Sequence, residues 1–204
     1  ILVIGDGVLA LELIKLGSNI VSLSHKLMDI RFTNEIDPLI YKYSKKGYKY
    51  LIHTAAITKP MSKVDEDPAL GISTNIVGTA NVALACMKYG IKFIYISTDV
   101  VYENEHTDII KPQNKYAWSK LGGECVSQLV PNSLILRCAI TEIPFRHEGA
   151  FVNVLKPSIT HKDAAAKILE LIEEVGTKDV EGEVKSIYEF VKQYEPNIKP
   201  ITKK

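Results

Sequence analysis

Four apolar residues, Ile1-Leu2-Val3-Ile4, run directly into Gly5-Asp6-Gly7-Val8-Leu9-Ala10, and a helical period follows over residues 7–16. A strand that passes through closely spaced glycines into a helix constrains the fold more than any other feature of this chain. Gly5 permits the tight turn, Gly7 lets backbone approach a pyrophosphate, and Ala10 lets helix and strand pack closely. The helix start adds amide donors and the positive end of its dipole. Asp6 opposes an anion, so binding here must rest on amides. Gly5, Gly7, Val8 and Leu9 are therefore expected to line a dinucleotide.

The alternation continues along the chain. Apolar, β-branched runs at 20–23, 48–52, 91–96 and 133–137 alternate with helical periods at 34–46, 64–89 and 114–129. That pattern specifies βαβ units. The fold class expected is α/β: a Rossmann-like, doubly wound, mostly parallel sheet with the first strand central, helices on both faces, and a small C-terminal cap. Residues 91–96 are the most apolar strand and should be interior. After Arg137 the texture changes, with a helix expected over 162–174, a turn-rich link over 176–183 and a short helix over 186–194. The division expected is a NAD(P)-binding domain at 1–137 and a substrate-side segment at 138–204 that does not fold independently.

Composition excludes several classes. A net charge of +1 over 204 residues, with acids and bases interspersed, gives no electrostatic reason for a nucleic-acid partner or a membrane surface. No apolar run is expected to approach the roughly 20 residues of a membrane helix, and no signal-peptide pattern opens the chain. The first residue already reads as strand and is not Met, so a few residues are expected to precede it. Cys86, Cys125 and Cys138 are odd in number and lack metal-ligand spacing. A reducing, cytoplasmic setting is expected, and the scattered histidines suggest no metal site.

Chemistry concentrates in Tyr116-Ala117-Trp118-Ser119-Lys120, which follows Ser97-Thr98-Asp99 at the end of the apolar strand. Residues four apart on a helix share a face, and an ammonium beside a phenol favours the phenolate. Tyr116 is thereby expected to exchange a proton near neutral pH, with Lys120 lowering its pKa and Thr98 holding the same substrate oxygen. With ten tyrosines in the chain, about one such spacing arises by chance. Tyr41 with Lys45 and Tyr188 with Lys192 are two such matches, and neither follows a strand ending in Ser-Thr-Asp.

Strand two ends Ser22-Leu23-Ser24-His25-Lys26, without the carboxylate that would bind a ribose 2′-hydroxyl. Ser24, His25 and Lys26 suit a 2′-phosphate, so NADP(H) is favoured over NAD(H). Asp29, beside Ile30, is placed at the adenine amino group. Ala55 and Ala56, after His53-Thr54, are small enough for a cofactor to lie over the strand end, with Ser97 on the next strand. His53 itself reads as a satisfied interior or loop histidine rather than a catalyst. Asn75 is a polar residue in an apolar helix, bonded either to a backbone carbonyl near the site or simply on a helix face.

In order, these segments resemble the extended short-chain dehydrogenase/reductases, and among them the dTDP-4-dehydrorhamnose reductase family and its sugar-nucleotide relatives. The resemblance rests on Gly5 to Leu13, Leu27-Met28-Asp29-Ile30, His53-Thr54-Ala55-Ala56, Ser97 to Tyr102 and Tyr116 to Glu124. It implies Thr98, Tyr116 and Lys120 as the catalytic set. Tyr116 would protonate a carbonyl as hydride arrives from NAD(P)H, and Lys120 would hold the nicotinamide ribose. It implies as substrate a nucleotide-linked 4-keto-6-deoxy sugar, as in dTDP-rhamnose biosynthesis, and a homodimer built on helices 64–89 and 114–129. Two departures stand out: the glycine motif is one residue short, and the region after Arg137 is brief. Arg146, His147 and Lys156 are candidates to meet a diphosphate. A related epimerase or dehydratase that retains its cofactor, and a catalytically silent nucleotide-binding regulatory subunit, remain alternatives.

Overall fold

The computed structural model describes residues 1–58, 60–103 and 107–203. Asn104, Glu105 and His106 of the polar loop before Pro112, and Lys204 of the basic tail, lie outside the described residues.

The chain opens with β1 (Leu2–Ile4), α1 (Val8–Lys15), β2 (Val21–Leu23), α2 (Thr33–Lys45) and β3 (Tyr50–His53). A short α3 (Ser62–Glu66) leads into a continuous helix, Pro68–Tyr89, built from α4 (Pro68–Gly71), a π-helical stretch (Ile72–Gly78) and α5 (Thr79–Tyr89). Gly90, at φ 65°, closes it in the left-handed conformation that favours glycine. Next come β4 (Lys92–Thr98), a 3₁₀ turn (Asp99–Val101), α6 (Lys115–Gln128) and β5 (Leu134–Cys138). The remainder holds β6 (Gly149–Phe151), β7 (Leu155–Lys156), α7 (His161–Glu170), β8 (Gly176–Val180), β9 (Lys185–Ser186), α8 (Ile187–Lys192) and β10 (Lys199–Ile201).

Six strands form one wholly parallel sheet in the order β2-β1-β3-β4-β5-β8. Each crossover carries helix, and the two faces bury separate cores. Leu2, Ile4, Leu51, Phe93 and Tyr95 pack against α2, α5 and α6, while Val3, Ile52, Ile94, Leu134 and Leu136 pack against α1 and α7. This is the Rossmann-like, doubly wound arrangement that the alternation implies. β1 differs from the central position expected for it: it is one strand in from the edge, and β3 and β4 occupy the middle. The chain leaves β1 toward β2 on one side and returns to β3 on the other. The crevice at the carboxyl ends of β1 and β3 is thus the topological switch point, where such sheets bind ligands.

Residues 176–180, expected as a turn-rich link, are instead the sixth strand, paired from Leu134–Gly176 to Cys138–Val180. An edge strand needs little apolar content, and Val180 is the one fully buried residue in Gly-Thr-Lys-Asp-Val. The main sheet thus draws on the chain beyond residue 137. The rest of the C-terminal segment forms a cap with its own small core: Ala150, Phe190 and Val191 pack with Ile143, Phe145, Ile187, Tyr188 and Ile198.

Pro68–Tyr89 spans 22 residues and is long and apolar enough, by length and composition, to cross a membrane. Polar residues Ser73, Thr74, Asn75, Thr79 and Asn81 hide that in a search for uninterrupted apolar runs. One face of it packs into the fold, with Asn75, Thr79, Val82, Ala83 and Cys86 buried, while Ile72, Val77, Leu84 and Met87 are exposed.

Candidate active site

The glycine loop is built for close approach. Gly5 sits at φ 126°, and a Cβ there would lie 2.3 Å from Thr54 Oγ1 and 3.0 Å from Ala55 N, so no side chain fits. Three strands converge on it. Gly5 N donates to Leu23 O, the Thr54 and Ala55 amides both donate to Ile4 O at 2.9 Å, and Ser22 Oγ donates to Gly5 O. Gly7 caps α1 with extended backbone and no side-chain cap, and a Cβ there would meet nothing within 4 Å. Open space at Gly7 and the lack of a side-chain cap leave room for a pyrophosphate at the start of α1. Val8 is exposed beside them, whereas Leu9 and Ala10 turn into the core.

At the end of β2, Ser24 O closes a turn onto the Leu27 and Met28 amides, and His25 and Lys26 are exposed. His25 Nδ1 lies 2.7 Å from Asp6 Oδ2, an exposed contact that ties the glycine loop to this turn. Asp29 is paired with Arg31: Arg31 Nε lies 3.0 Å from both carboxylate oxygens, and this bonding holds the carboxyl below its usual range. The Asp29 amide donates to Glu35 Oε2 at 2.8 Å. The Ile30 side chain is buried against Gly78, and its carbonyl accepts from Asn81 Nδ2. Arg31, a cation beside the expected adenosine end, escaped the sequence reading.

His53 is an interior histidine. Its Nε2 contacts Thr79 Oγ1 at 3.0 Å, its ring lies near Phe93 and Tyr95, and Nδ1 has no protein partner. Burial, with the Lys120 charge second, lowers its pKa to about 3, so it stays neutral. Asn75, in the π-helical stretch, clamps the loop that carries Ala55 and Ala56. Its Oδ1 accepts from Ile57 N (2.8 Å), and its Nδ2 donates to Ile57 O (3.2 Å) and Ser119 Oγ (2.8 Å). Ser119 Oγ in turn donates to Tyr116 O. A π turn placed at such a junction fits the tendency of these insertions to mark functional sites.

Thr98 ends β4, and Asn114 caps α6 by accepting from Ala117 N, so strand end and helix start deliver Thr98 and Tyr116 to one place. Both are nearly buried, and the Thr98 hydroxyl lies close enough to the Tyr116 phenol to act on its proton affinity. Lys120, from the next turn of α6, is buried as well. The electrostatic expectation for this pair fails. Lys120 reaches the sheet, donates from Nζ to Ile96 O at 2.7 Å, and stands 4.3 Å from the Tyr95 ring centroid. Burial, followed by the charge of Asp99, raises the Tyr116 pKa, and Thr98 opposes that shift. Burial also lowers the Lys120 ammonium to about 7. In the two chance matches, Lys45 and Lys192 lie over the rings of Tyr41 and Tyr188.

Beneath this group runs a network that the sequence reading missed. Glu124, buried on α6, accepts from Ser97 Oγ and from Arg137 Nε (3.0 Å) and Nη2 (2.7 Å). Arg137 Nη1 donates to Tyr102 Oη, and Tyr102 Oη donates to Asp179. Of the cations considered for a diphosphate, Arg146 pairs with Glu142, His147 packs edge-on to Phe145, and Lys156 pairs with Asp99 at 2.8 Å.

A parallel sheet with a glycine turn at its switch point, and with threonine, tyrosine and lysine gathered at the carboxyl end of β4, defines a dinucleotide-binding fold of the short-chain dehydrogenase/reductase type. The model of the RmlD substrate binding domain matches residues 1–168, and the chain belongs to that family. A dTDP-4-dehydrorhamnose reductase of Mycobacterium tuberculosis is 32% identical over 100 residues, 44% of this chain and 33% of the relative. The match thus spans about a third of that relative's length. Among solved structures, a dTDP-4-dehydrorhamnose reductase from Bacillus anthracis in complex with NADP superposes with a TM-score of 0.83 at 22% identity, covering 99% of this chain and 84% of that one. A UDP-glucose 4-epimerase from Thermus thermophilus in complex with NAD gives 0.75 at 15% identity, covering 98% and 85%. At these identities the structural likenesses establish the fold.

Proposed function

We propose that the chain is an NAD(P)H-dependent reductase of a nucleotide-linked 4-keto-6-deoxy sugar. The observation that carries this reading is the meeting of Thr98 and Tyr116 beside a buried Lys120 at the carboxyl end of β4. Family membership, the sequence relative and the NADP bound in the Bacillus anthracis structure support it. Reduced nicotinamide supplies the hydride when bound. Gly5, Gly7, Val8 and Leu9 hold the pyrophosphate against α1. Ala55, Ala56 and Ser97 floor the cofactor crevice, and Ser24, His25 and Lys26 meet the 2′-phosphate, with Asp29 and Ile30 at the adenine. Tyr116 delivers a proton to the sugar oxygen, and Thr98 orients it. Lys120, seated on Ile96 O, presents its ammonium to ribose hydroxyls.

Burial gives Tyr116 a high proton affinity in the free protein. The phenol is then protonated across the physiological range, as a proton donor must be. Residues 1–137 carry the nucleotide, and residues 138–204 close the substrate side. A homodimer fits the exposed apolar residues Val77, Leu84, Met87, Trp118 and Leu129 on the two helices that the family uses for pairing. A cytoplasmic setting fits a soluble sugar-nucleotide substrate. The test is a panel of nucleotide-linked 4-keto-6-deoxy sugars with reduced nicotinamide absorbance as readout. Consumption dependent on the keto sugar is expected, and none with any member would overturn the reading.

A further inference from the structure

Lys156 stands in the C-terminal segment, yet its ammonium meets Asp99, the residue after Thr98. Nζ to Oδ2 is 2.8 Å, with both side chains about four-fifths buried at 17% and 20% exposure. The other carboxylate oxygen accepts from the Thr98 hydroxyl at 3.1 Å, so Asp99 joins the reacting end of β4 to the cap. Further acid lies close by. Asp179 pairs with Arg137 one residue before the end of β8 and accepts from Tyr102, and the charges of Asp179 and Asp99 both act on Glu181. Lys167 serves this cluster through the Glu181 carbonyl at 2.9 Å. Among the described residues, Lys156 is the cation that pairs with Asp99. It is carried on β7, which pairs antiparallel with β9, and Ile187 N to Val154 O and Gly182 N to Pro157 O flank that pairing.

We propose that Lys156 is a positioning residue that acts through Asp99: it ties the β7–β9 hairpin to the catalytic end of β4 and supplies the counter-charge that keeps Asp99 seated beside Thr98. It therefore does not serve as a diphosphate ligand, the role its charge alone would suggest. The consequence for turnover rests on the reductase reading, whereas the tie itself does not.

Hydrogen exchange at the Ile187 and Gly182 amides, measured on the full chain, tests the tie. A partly buried ion pair contributes up to about 1 kcal/mol, or about fivefold in a local opening equilibrium. Lys156→Met and Asp99→Asn should each speed exchange about fivefold, the double variant should add nothing further, and Lys156→Arg should restore protection. With a turned-over keto sugar nucleotide, Lys156→Met should lower kcat and leave KM within about twofold. Unchanged exchange in Lys156→Met overturns the proposal. So does a large rise in KM for Lys156→Met while Asp99→Asn leaves exchange untouched, because that pattern marks direct ligand contact. A wild type without turnover would sink the reductase reading, and exchange would still decide the tie.

Discussion

Replacing Lys120 by Met should abolish reductase turnover and stabilise the free protein. Lys120 is 3% exposed, and burial lowers its pKa from 10.5 to about 7. At 1.36 kcal/mol per pKa unit, that displacement corresponds to about 5 kcal/mol of penalty on the charged form. Met fills similar length without charge but leaves Ile96 O without the Lys120 donor, at a cost of about 1–3 kcal/mol. The net expectation is a gain of about 2–4 kcal/mol at pH 6, or roughly 4–16 °C in Tm for a chain of this size. The pH dependence is the sharper signature. The folded-state pKa lies below the unfolded one, so between about pH 7 and 10.5 the unfolded wild type binds more protons and its stability rises with pH. Below pH 7 both states are charged and the advantage of Lys120→Met is at its full size; it shrinks as pH rises through that window. Thermal unfolding by circular dichroism at pH 6, 8 and 10 reads the gap, and ionisations common to both proteins cancel. A variant less stable than wild type at pH 6, or a gap equal at pH 6 and 10, would refute the reasoning.

Tyr116→Phe should lower kcat by about 10²–10⁴-fold with NADPH affinity nearly unchanged, measured by turnover and fluorescence titration, while Tyr41→Phe and Tyr188→Phe stay near wild type. NADPH should bind about tenfold better than NADH, and His25→Ala with Lys26→Ala should erase that preference; tighter NADH binding by wild type would contradict the assignment. Because Asp6 holds His25 at 2.7 Å beside the expected 2′-phosphate, Asp6→Asn should widen the preference for NADPH in the same titration. Glu124→Gln should cost about 3–5 kcal/mol in denaturant unfolding by leaving Arg137 short of its buried partner; a change under about 1 kcal/mol would show the network to be dispensable.

The parts of this molecule that were readable from sequence are those in which one local pattern decides the outcome. β1 and β4 are buried on both faces and announce themselves as apolar runs, and the glycine turn lies where a strand meets a helix. Tyr116 and Lys120 sit on one helix whose phase fixes which way both point. What stayed hidden depends on partners brought from elsewhere. β8 is an edge strand, so its polar sequence carries no burial signal, and only its pairing with β5 reveals it. Glu124 and Arg137 are 13 residues apart and look like surface charges until β5 is laid beside α6. The pKa argument for Tyr116 failed for the same reason. Helical spacing brought the ammonium to the correct face, but the reach of a lysine side chain was settled by Ile96 O and the Tyr95 ring, which a different strand supplies. Lys156 repeats the lesson: as an isolated cation it suggests a phosphate, and Asp99 gives it another partner. Side-chain identity fixes which chemistry is available, and the groups that the fold places within about 3 Å decide which of it is used.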